Sequence, residues 1–305
     1  MSSRRHEHAL TGTLPIAVSH PDKVFWPGEG YTKLDLIEYY NTIFPKLAPY
    51  VKGRILTLER CPDGMRGECF FQKQIPKSMS PGTPTKRIAH EANAAEFTEY
   101  VVGGSLITQL ALASLGCIAV HVMASRASSP RQPDWVCIDL DPESGKFADA
   151  ARAALHVKAA FDALKLKSFA KTSGSRGLHV VVPIRPGLDA DDVLAFAESF
   201  VARVAAEHPD DLTIEHSITA RRGRVYLDSF RNGFGQTVVA PYSVRRRENA
   251  PISTPLAWSE VNPSLVPSDF NMGNFQRRLQ GSDPWQDFFR SRQAMKDAMA
   301  ELRKL

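Results

Sequence analysis

The chain has 305 residues, with 38 Lys and Arg against 33 Asp and Glu, which gives a net charge of +5. A hydrophobic fraction of 43% and a charged fraction of 23% exclude a disordered or collagen-like protein. The length allows one large domain or two smaller ones, and the small basic excess permits nucleic acid as a partner without requiring it.

The cysteines and the N-terminus indicate the compartment. The four cysteines, at positions 61, 69, 117 and 137, lack the C-x-x-C spacing of zinc ribbons and thioredoxin motifs. So few cysteines in so long a chain predict reduced thiols. Cys117 and Cys137 lie in apolar runs that indicate burial. No sustained apolar stretch follows the first arginines, so we expect no signal peptide, a flexible segment over residues 1–20 and a cytoplasmic location.

The first half of the chain is predicted to mix helices with strands. Thr32 and Asp35 form a capping pair in front of an apolar-periodic segment. Residues 74–95 are rich in Pro, Ser and Thr and predict an extended surface segment. Residues 105–124 carry no formal charge but are too polar for a membrane span, so they predict a helix and a strand separated at Gly116. The predicted elements are a helix over 33–51, strands over 54–60 and 70–75, a helix over 106–115 and a strand over 117–123.

The second half alternates more regularly, which is typical of an α/β or α+β domain with a largely buried sheet. In the tail, 282–305, apolar residues recur at helical spacing and indicate packing against the body of the protein. The predicted strands are 135–141, 169–174, 178–184, 224–230 and 236–244, and the predicted helices are 147–166 and 189–207.

Three carboxylates are candidates for a metal site. Asp139 and Asp141 alternate along a strand and therefore project to the same face, and Pro142 predicts the end of that strand. Adjacent carboxylates repel each other when buried, and a divalent cation such as Mg²⁺ or Mn²⁺ relieves the repulsion. Asp228 lies inside a second apolar strand. Three carboxylates from two strands suit two-metal nucleotidyl or phosphoryl transfer, provided that the strands adjoin.

Basic residues and a glycine-containing turn are candidates for phosphate binding. Residues 171–179 place two glycines, small hydroxyl residues and Arg176 between two strands, where backbone N–H groups can cradle phosphate. His179 begins the next strand and can reach the same pocket. Arginine clusters at 221–224 and 245–247 flank the Asp228 strand and match phosphate oxygens bidentately, although most arginines in such runs are solvated.

Five blocks in this order resemble the polymerase domain of bacterial ligase D, a branch of the archaeo-eukaryotic primase superfamily. The resemblance covers residues 20–285. The blocks are HPDKVFWPGEGYTKLDLIEYY, DWVCIDLDP, KTSGSRGLHVVVP, RGRVYLD and VAPYSVRRRENAPISTPLAW. It implies a primase–polymerase fold over 21–285, in which a mixed central sheet carries the metal site between helices and an N-terminal α/β subregion. Residues 286–305 then form a C-terminal helical extension.

The same resemblance implies a template-dependent nucleotidyltransferase that fills short gaps and extends ends in double-strand break repair, with ribonucleotides favoured. Two Mn²⁺ or Mg²⁺ ions are the implied cofactors. The implied partners are gapped or broken DNA with a 5′-phosphate, NTP or dNTP, a Ku-like end-binding protein and a DNA ligase. No membrane partner is expected, and the implied location is the nucleoid.

Family positions carry over residue by residue onto this sequence. The three carboxylates match the catalytic metal ligands. The residues implied for the incoming nucleotide are His121, Ser173, Arg176, His179 and Arg245. The residues implied for DNA are Lys23 and Lys33 at the 5′-phosphate, Phe70 and Phe71 on template bases, and Lys73 and Arg221 along the strand. Strand alternation lets only one of Phe70 and Phe71 face the core.

Two positions depart from the family pattern. Arg231 stands where the family has glutamine, and Gln236 where lysine is common. Both changes are interpreted as affecting nucleotide affinity or sugar choice, with the metal site unaffected. They keep open an alternative function, a catalytically weak module that binds 5′-phosphorylated DNA ends. A metal-dependent phosphohydrolase or nuclease is the third hypothesis, since it could use the same carboxylates.

Overall fold

The computed structural model describes residues 14–90, 93 and 95–303. The prediction of a flexible N-terminus falls mostly outside these residues; of those that follow it, Leu14, Ile16 and Val18 are partly buried against the core. Among the described residues, no helix combines the length and the apolarity needed to cross a membrane.

Strands and helices alternate along the chain. The strands are β1 (Val24–Trp26), β2 (Tyr31–Thr32), β3 (Leu56–Arg60), β4 (Phe70–Gln72), β5 (Thr85–Ala89), β6 (Phe97–Val101), β7 (Cys117–Val122), β8 (Ser125–Arg126), β9 (Ser129–Pro133), β10 (Trp135–Pro142), β11 (Phe169–Thr172), β12 (Leu178–Pro183), β13 (Leu212–Thr213), β14 (Val225–Asp228), β15 (Val238–Val239) and β16 (Pro255–Leu256). The helices are α1 (Lys33–Val51), α2 (Leu106–Ser114), α3 (Phe147–Ala163), α4 (Ala190–Glu207), α5 (Ile218–Arg221), α6 (Phe275–Leu279) and α7 (Lys296–Leu302).

The larger sheet has six strands in the order β13-β14-β10-β12-β11-β16. Its pairs are antiparallel except β13 with β14, so the sheet is mixed. Val136, Ile138 and Leu140 of β10 pack with α3 and α4 in one apolar core. Because side chains alternate along a strand, the residues between them, Trp135, Cys137, Asp139 and Asp141, face the other side. That side is apolar at Trp135 and Cys137 and becomes acidic at the far end of the strand.

The smaller sheet has four strands in the order β15-β7-β3-β4 and forms the N-terminal subregion with α1 and α2. Leu56, Leu58, Val120 and Val122 face the core shared with these helices, and this core extends to Trp135 of the larger sheet. The capping pair is confirmed, since Thr32 and Asp35 form a reciprocal capping box at the start of α1. The mixed α/β fold agrees with the fold expected from the sequence.

Four local expectations need correction. Residues 74–95 are not only extended surface, because β5 lies within them and pairs with β6. The predicted strand 236–244 is reduced to β15, because the chain turns at Tyr242, where φ is +65°. The tail is not continuously helical: a 3₁₀ turn at Phe288–Ser291 precedes α7.

The fourth correction concerns the cysteines. Cys61 and Cys69 form a disulfide, whereas reduced thiols were expected. Cys61 directly follows β3 and Cys69 directly precedes β4, and the pairing of Arg60 with Phe70 brings the two cysteines side by side. Spacing alone did not reveal this hairpin. Cys117 and Cys137 are buried free thiols, as their apolar surroundings predicted.

Candidate active site

A row of polar side chains crosses four strands of the larger sheet. Asp228 of β14 lies opposite Asp139 of β10, Asp139 lies opposite His179 of β12, and His179 lies opposite Lys171 of β11. All four belong to the face turned away from α3 and α4. The condition that the sequence left open, that the two acidic strands adjoin, is therefore met.

The oxygens of Asp139 and Asp228 have distinct neighbours. His179 Nε2 lies 3.3 Å from Asp139 Oδ1, and the backbone N–H of Phe230 donates to Asp228 Oδ1 at 2.9 Å. The remaining oxygens face Arg231, whose Nε lies 3.0 Å from Asp228 Oδ2 and 3.7 Å from Asp139 Oδ2. Arg231 thus contacts the carboxylates themselves. The interpretation of this departure as one of nucleotide affinity or sugar choice did not include this contact with two candidate metal ligands.

The third carboxylate, Asp141, also has an arginine partner. Arg221 donates from Nη1 to Asp141 Oδ2 at 3.0 Å, and its side chain is only 9% exposed. Its guanidinium lies over the ring of Tyr226, 4.2 Å from the ring centroid. Arg221 was expected to contact DNA, but in this structure it is an internal counter-ion at the end of β10.

The surroundings shift the pKa values of the two opposed carboxylates, Asp139 and Asp228, in opposite directions. Burial raises the pKa of Asp139, but His179, Arg231 and Lys171 outweigh burial and bring it to about 2. Burial also raises the pKa of Asp228; Arg231 opposes this and the Asp139 charge adds to it, so the net direction is upward. The pKa values of two carboxylates that lie close together commonly separate in this way. Asp139 is consequently the better anchor for a cation.

The donor set fits a hard divalent cation, because all three candidate ligands are carboxylate oxygens. The Arg231 guanidinium also shows that a positive charge is accommodated between Asp139 and Asp228. In the part of the chain that the structure describes, however, no group of three or more His, Cys, Asp or Glu side chains has the arrangement of a metal site. Arg221 and Arg231 form ion pairs with oxygens of these candidate ligands.

The glycine-containing turn lies against the acidic strand. Ser173 Oγ accepts hydrogen bonds from the backbone N–H groups of Ser175 and Gly177, both at 3.2 Å. A Cβ on Gly177 would collide with the carbonyl oxygen of Leu140. A Cβ on Gly174, where φ is +70°, would lie 2.5 Å from Arg245 Cγ. Only glycine permits both approaches, so the turn holds Arg245 close to the carboxylate row.

Both predicted histidines are uncharged at neutral pH; His179 is buried, and the His121 side chain is 12% exposed. Burial lowers the pKa of His179 to about 4, with Lys171 adding to the decrease and Asp139 opposing it. Burial likewise lowers the pKa of His121 to about 4, against the hydrogen-bonding influence of Glu59. They can therefore position a nucleotide by hydrogen bonding, while arginines supply the positive charge.

Glu59 is a site residue that sequence reasoning missed. Its carboxylate is 8% exposed, with Oε2 3.9 Å from His121 Nε2 and Oε1 3.3 Å from Arg246 Nε. Thr57 lies directly opposite His121 on the same sheet and lines a cleft between the two sheets. The available signal was alternation, because Thr57 and Glu59 are polar positions that alternate with Leu56 and Leu58 in β3 and therefore share a face.

Three candidate DNA-binding residues, Phe70, Phe71 and Lys73, form the rim of the site. Phe70 and Phe71 are 40% and 62% exposed, so neither enters the core, although strand alternation would have allowed one of them to do so. Both lie on the edge strand β4, where Arg60 covers Phe70 and Phe71 meets the edge of His121 at 5.3 Å between ring centroids. Lys73 follows them and lines the cleft.

Lys23 and Lys33 lie next to each other, since the Lys33 N–H donates to the Lys23 carbonyl at 2.8 Å. Lys23 pairs with Asp63 and is partly exposed. Lys33 is buried instead, and its ammonium donates to the carbonyl of Ser19 at 2.5 Å. Burial and the nearby Lys23 charge both lower the pKa of Lys33.

One cleft of about 670 Å³ brings most of these residues together between the two sheets. Of the predicted residues, Lys23, Lys33 and Phe70 do not line it. Those that do are Phe71, Lys73, His121, Asp139, Asp141, Ser173, Arg176, His179, Arg221, Asp228 and Arg245.

Comparison with known proteins gives one consistent result. The family described as LigD, primase-polymerase domain, matches residues 32–285. The chain is 29% identical over 294 residues to the multifunctional non-homologous end joining protein LigD of Pseudomonas aeruginosa, covering 94% of this chain and 34% of that protein. It is 30% identical over 275 residues to the bifunctional LigD of Bacillus subtilis, covering 89% of this chain and 44% of that protein.

The chain thus spans between a third and a half of these two relatives' length. A solved structure, the polymerase domain of Mycobacterium tuberculosis ligase D in complex with DNA, superposes with a TM-score of 0.83 at 26% identity, covering 91% of this chain and 99% of that one. Primase–polymerases are DNA-directed nucleotidyltransferases. The match over residues 32–285 confirms the resemblance of the five sequence blocks: the chain belongs to the LigD primase–polymerase domain family.

Proposed function

We propose that this chain is a template-dependent nucleotidyltransferase that fills short gaps and extends ends in DNA double-strand break repair, with ribonucleotides favoured. The observation that carries the proposal is the cross-strand pair of Asp139 and Asp228, with Asp141 two residues further along β10, at the base of a cleft with basic walls.

Asp139, Asp141 and Asp228 are the residues that would hold two Mn²⁺ or Mg²⁺ ions, and such ions activate the primer 3′-hydroxyl and neutralise the leaving pyrophosphate. Arg176 and Arg245 enter the cleft from the glycine-containing turn and from the segment beside it. Guanidinium groups bind phosphate oxygens bidentately, so these two residues orient the triphosphate. Ser173 fixes the turn, and the uncharged His121 and His179 bind the nucleotide by hydrogen bonds.

The rim is assigned to DNA. The exposed ring of Phe71 provides a stacking surface for a template base, with Phe70 and Lys73 beside it. Lys23 and Lys33 are assigned to the 5′-phosphate at the far side of a gap, which requires Lys33 to exchange its bond to Ser19 for the phosphate. The partners proposed with this role are a Ku-like end-binding protein and a DNA ligase.

Primer extension on a 5′-phosphorylated gapped duplex tests this function, with Mn²⁺ and with NTPs and dNTPs in separate reactions. We expect wild type to extend the primer, more with NTPs, and Asp139→Ala and Asp228→Ala to lose extension while still binding the duplex. Asp162→Ala, on the outer surface of α3, is the matched control and should extend like wild type. Extension by Asp139→Ala at the wild-type rate would contradict the mechanism.

One observation favours the second candidate function, a module that binds DNA ends with little catalysis. Arg221 and Arg231 already neutralise the carboxylates that would bind metal. Under this alternative, wild type binds the gapped duplex with a preference for the 5′-phosphate, and neither nucleotide set is incorporated. Metal-dependent extension by wild type eliminates it.

A further inference from the structure

Arg231 contacts two of the residues that would hold a divalent cation. Its Nε is 3.0 Å from Asp228 Oδ2 and 3.7 Å from Asp139 Oδ2. The other oxygen of each carboxylate is already engaged, by the Phe230 N–H and by His179. A cation held by both carboxylates would therefore compete with Arg231 for these oxygens.

The backbone of Arg231 is fixed, whereas its side chain can move. The neighbouring Asn232 is buried and binds both backbone groups of Cys137, accepting at 2.8 Å and donating at 2.7 Å. The Arg231 side chain is 41% exposed, in contrast to the 9% exposure of Arg221 on Asp141. The guanidinium is the exposed side of this pair, while the carboxylates of Asp139 and Asp228 are 21% and 11% exposed, so solvent and salt reach the pair from the arginine side.

We propose that Arg231 competes with the divalent ion for Asp139 and Asp228, and thereby determines how tightly this protein binds metal. The inference rests on the proposed metal-dependent function and adds an affinity-determining residue to it. A guanidinium held against both carboxylates repels a divalent ion that approaches the same oxygens. Metal binding and the Arg231 contact therefore oppose each other.

Removal of the guanidinium has two opposite consequences. Without metal, Asp139 and Asp228 face each other with less compensation, which destabilises the folded protein. With metal, the competing charge is gone, and the ion binds more tightly. Arg231→Gln removes the positive charge and leaves a shorter, polar side chain. Arg203→Gln is the matched control, because Arg203 is similarly exposed, at 37%, and forms its ion pair within α4 on the far side of the sheet.

The first experiment measures Mn²⁺ binding to the full chain without nucleotide or DNA, by the electron paramagnetic resonance signal of free Mn²⁺. We expect Arg231→Gln to bind about tenfold more tightly than wild type at low ionic strength, as expected for one neighbouring charge. High salt should reduce this difference. Arg203→Gln should match wild type, Arg231→Lys should stay closer to wild type than Arg231→Gln does, and Asp228→Asn should lose binding.

The second experiment records thermal unfolding in EDTA and in saturating Mn²⁺. Arg231→Gln should unfold at a lower temperature than wild type in EDTA and at an equal or higher temperature in Mn²⁺. Equal Mn²⁺ affinity of wild type and Arg231→Gln overturns the competition and leaves the proposed function intact. If neither protein binds Mn²⁺, both the competition and the proposed metal-dependent mechanism are overturned.

Discussion

At the scale of single residues, each charged group in the cleft has a neighbour that determines its state. Asp139 is held ionised by His179 and Arg231, while the histidines are held uncharged by burial. The positive charge available to a triphosphate in the cleft therefore comes from arginines and from Lys73. The aromatic rim is different, because Phe71 is exposed and its ring forms an edge-to-face contact with His121.

Phe71→Ala tests the role of this exposed ring. We expect the variant to bind gapped DNA with a loss of about 1–3 kcal/mol in binding free energy, the typical contribution of one stacked base. Fluorescence anisotropy with a labelled gapped duplex measures the loss. Phe97→Ala, which removes a 46% exposed ring from β6 outside the cleft, is the control. Equal losses in the two variants would argue against a specific stacking position.

The sequence predicted the chemically distinctive residues of the site better than their supporting ones. Asp139, Asp141 and Asp228 stood out because acids interrupt apolar strands. Glu59 did not, because its role depends on the pairing of β3 with β7, which brings it beside His121. The contact of Arg231 with two carboxylates likewise depends on strand register and on the turn after β14, which no local pattern determines.

At the scale of elements, β10 lies between β14, which carries Asp228, and β12, which carries His179. The strand register places both residues opposite Asp139. The strand itself, the helix α3 after it and the split of residues 105–124 at Gly116 were all predictable, because their periodicity and turn residues agree. The course of residues 236–244 and of the tail could not be predicted from these signals. Their course depends on packing at Tyr242 and on the stacked rings of Trp285 and Phe288.

Lys171, at the end of the polar row, gives a prediction for pH dependence. Burial lowers the pKa of Lys171 from 10.5 to about 7. Between these values the unfolded chain binds a proton that the folded protein does not, so the free energy of unfolding increases with pH in this window. Below about 7 both states are protonated and the dependence ends.

Lys171→Met lacks this titration. The stability of wild type relative to the variant should therefore increase by about 2 kcal/mol from about pH 7 to about pH 9, measured by urea unfolding. Lys167→Met, which removes an exposed lysine next to the same strand, should show no such trend. A constant difference between wild type and Lys171→Met would mean that Lys171 keeps its proton in the folded protein.

At the scale of the whole molecule, a buried ionic cluster joins distant parts of the chain. Asp134 is 1% exposed and pairs with the fully buried Arg54, with Arg126 at 3.0 Å and with Arg292 of the C-terminal tail at 3.0 Å. Arg54 also lies 3.6 Å from the ring centroid of Trp135. The cluster thus connects the segment before β3, the β8 hairpin, the start of β10 and the tail.

Asp134→Asn should destabilise the protein by about 3–5 kcal/mol, because it leaves the buried Arg54 charge without its counter-ion. Urea unfolding measures the change. Asp162→Asn, which breaks an exposed pair with Lys158 within α3, should leave stability nearly unchanged. A small effect at Asp134 would indicate that water or Arg54 rearrangement compensates the lost charge.

The position of β10 in both apolar cores has a consequence for how activity is lost. Val136, Ile138 and Leu140 belong to one core, and Trp135 and Cys137 belong to the other. The acids therefore extend from a strand that cannot open by itself without exposing apolar surface on two sides. The amides of β10 should be among the slowest in the protein to exchange with deuterium. Heat inactivation should coincide with global unfolding, so that residual activity directly reports the folded fraction.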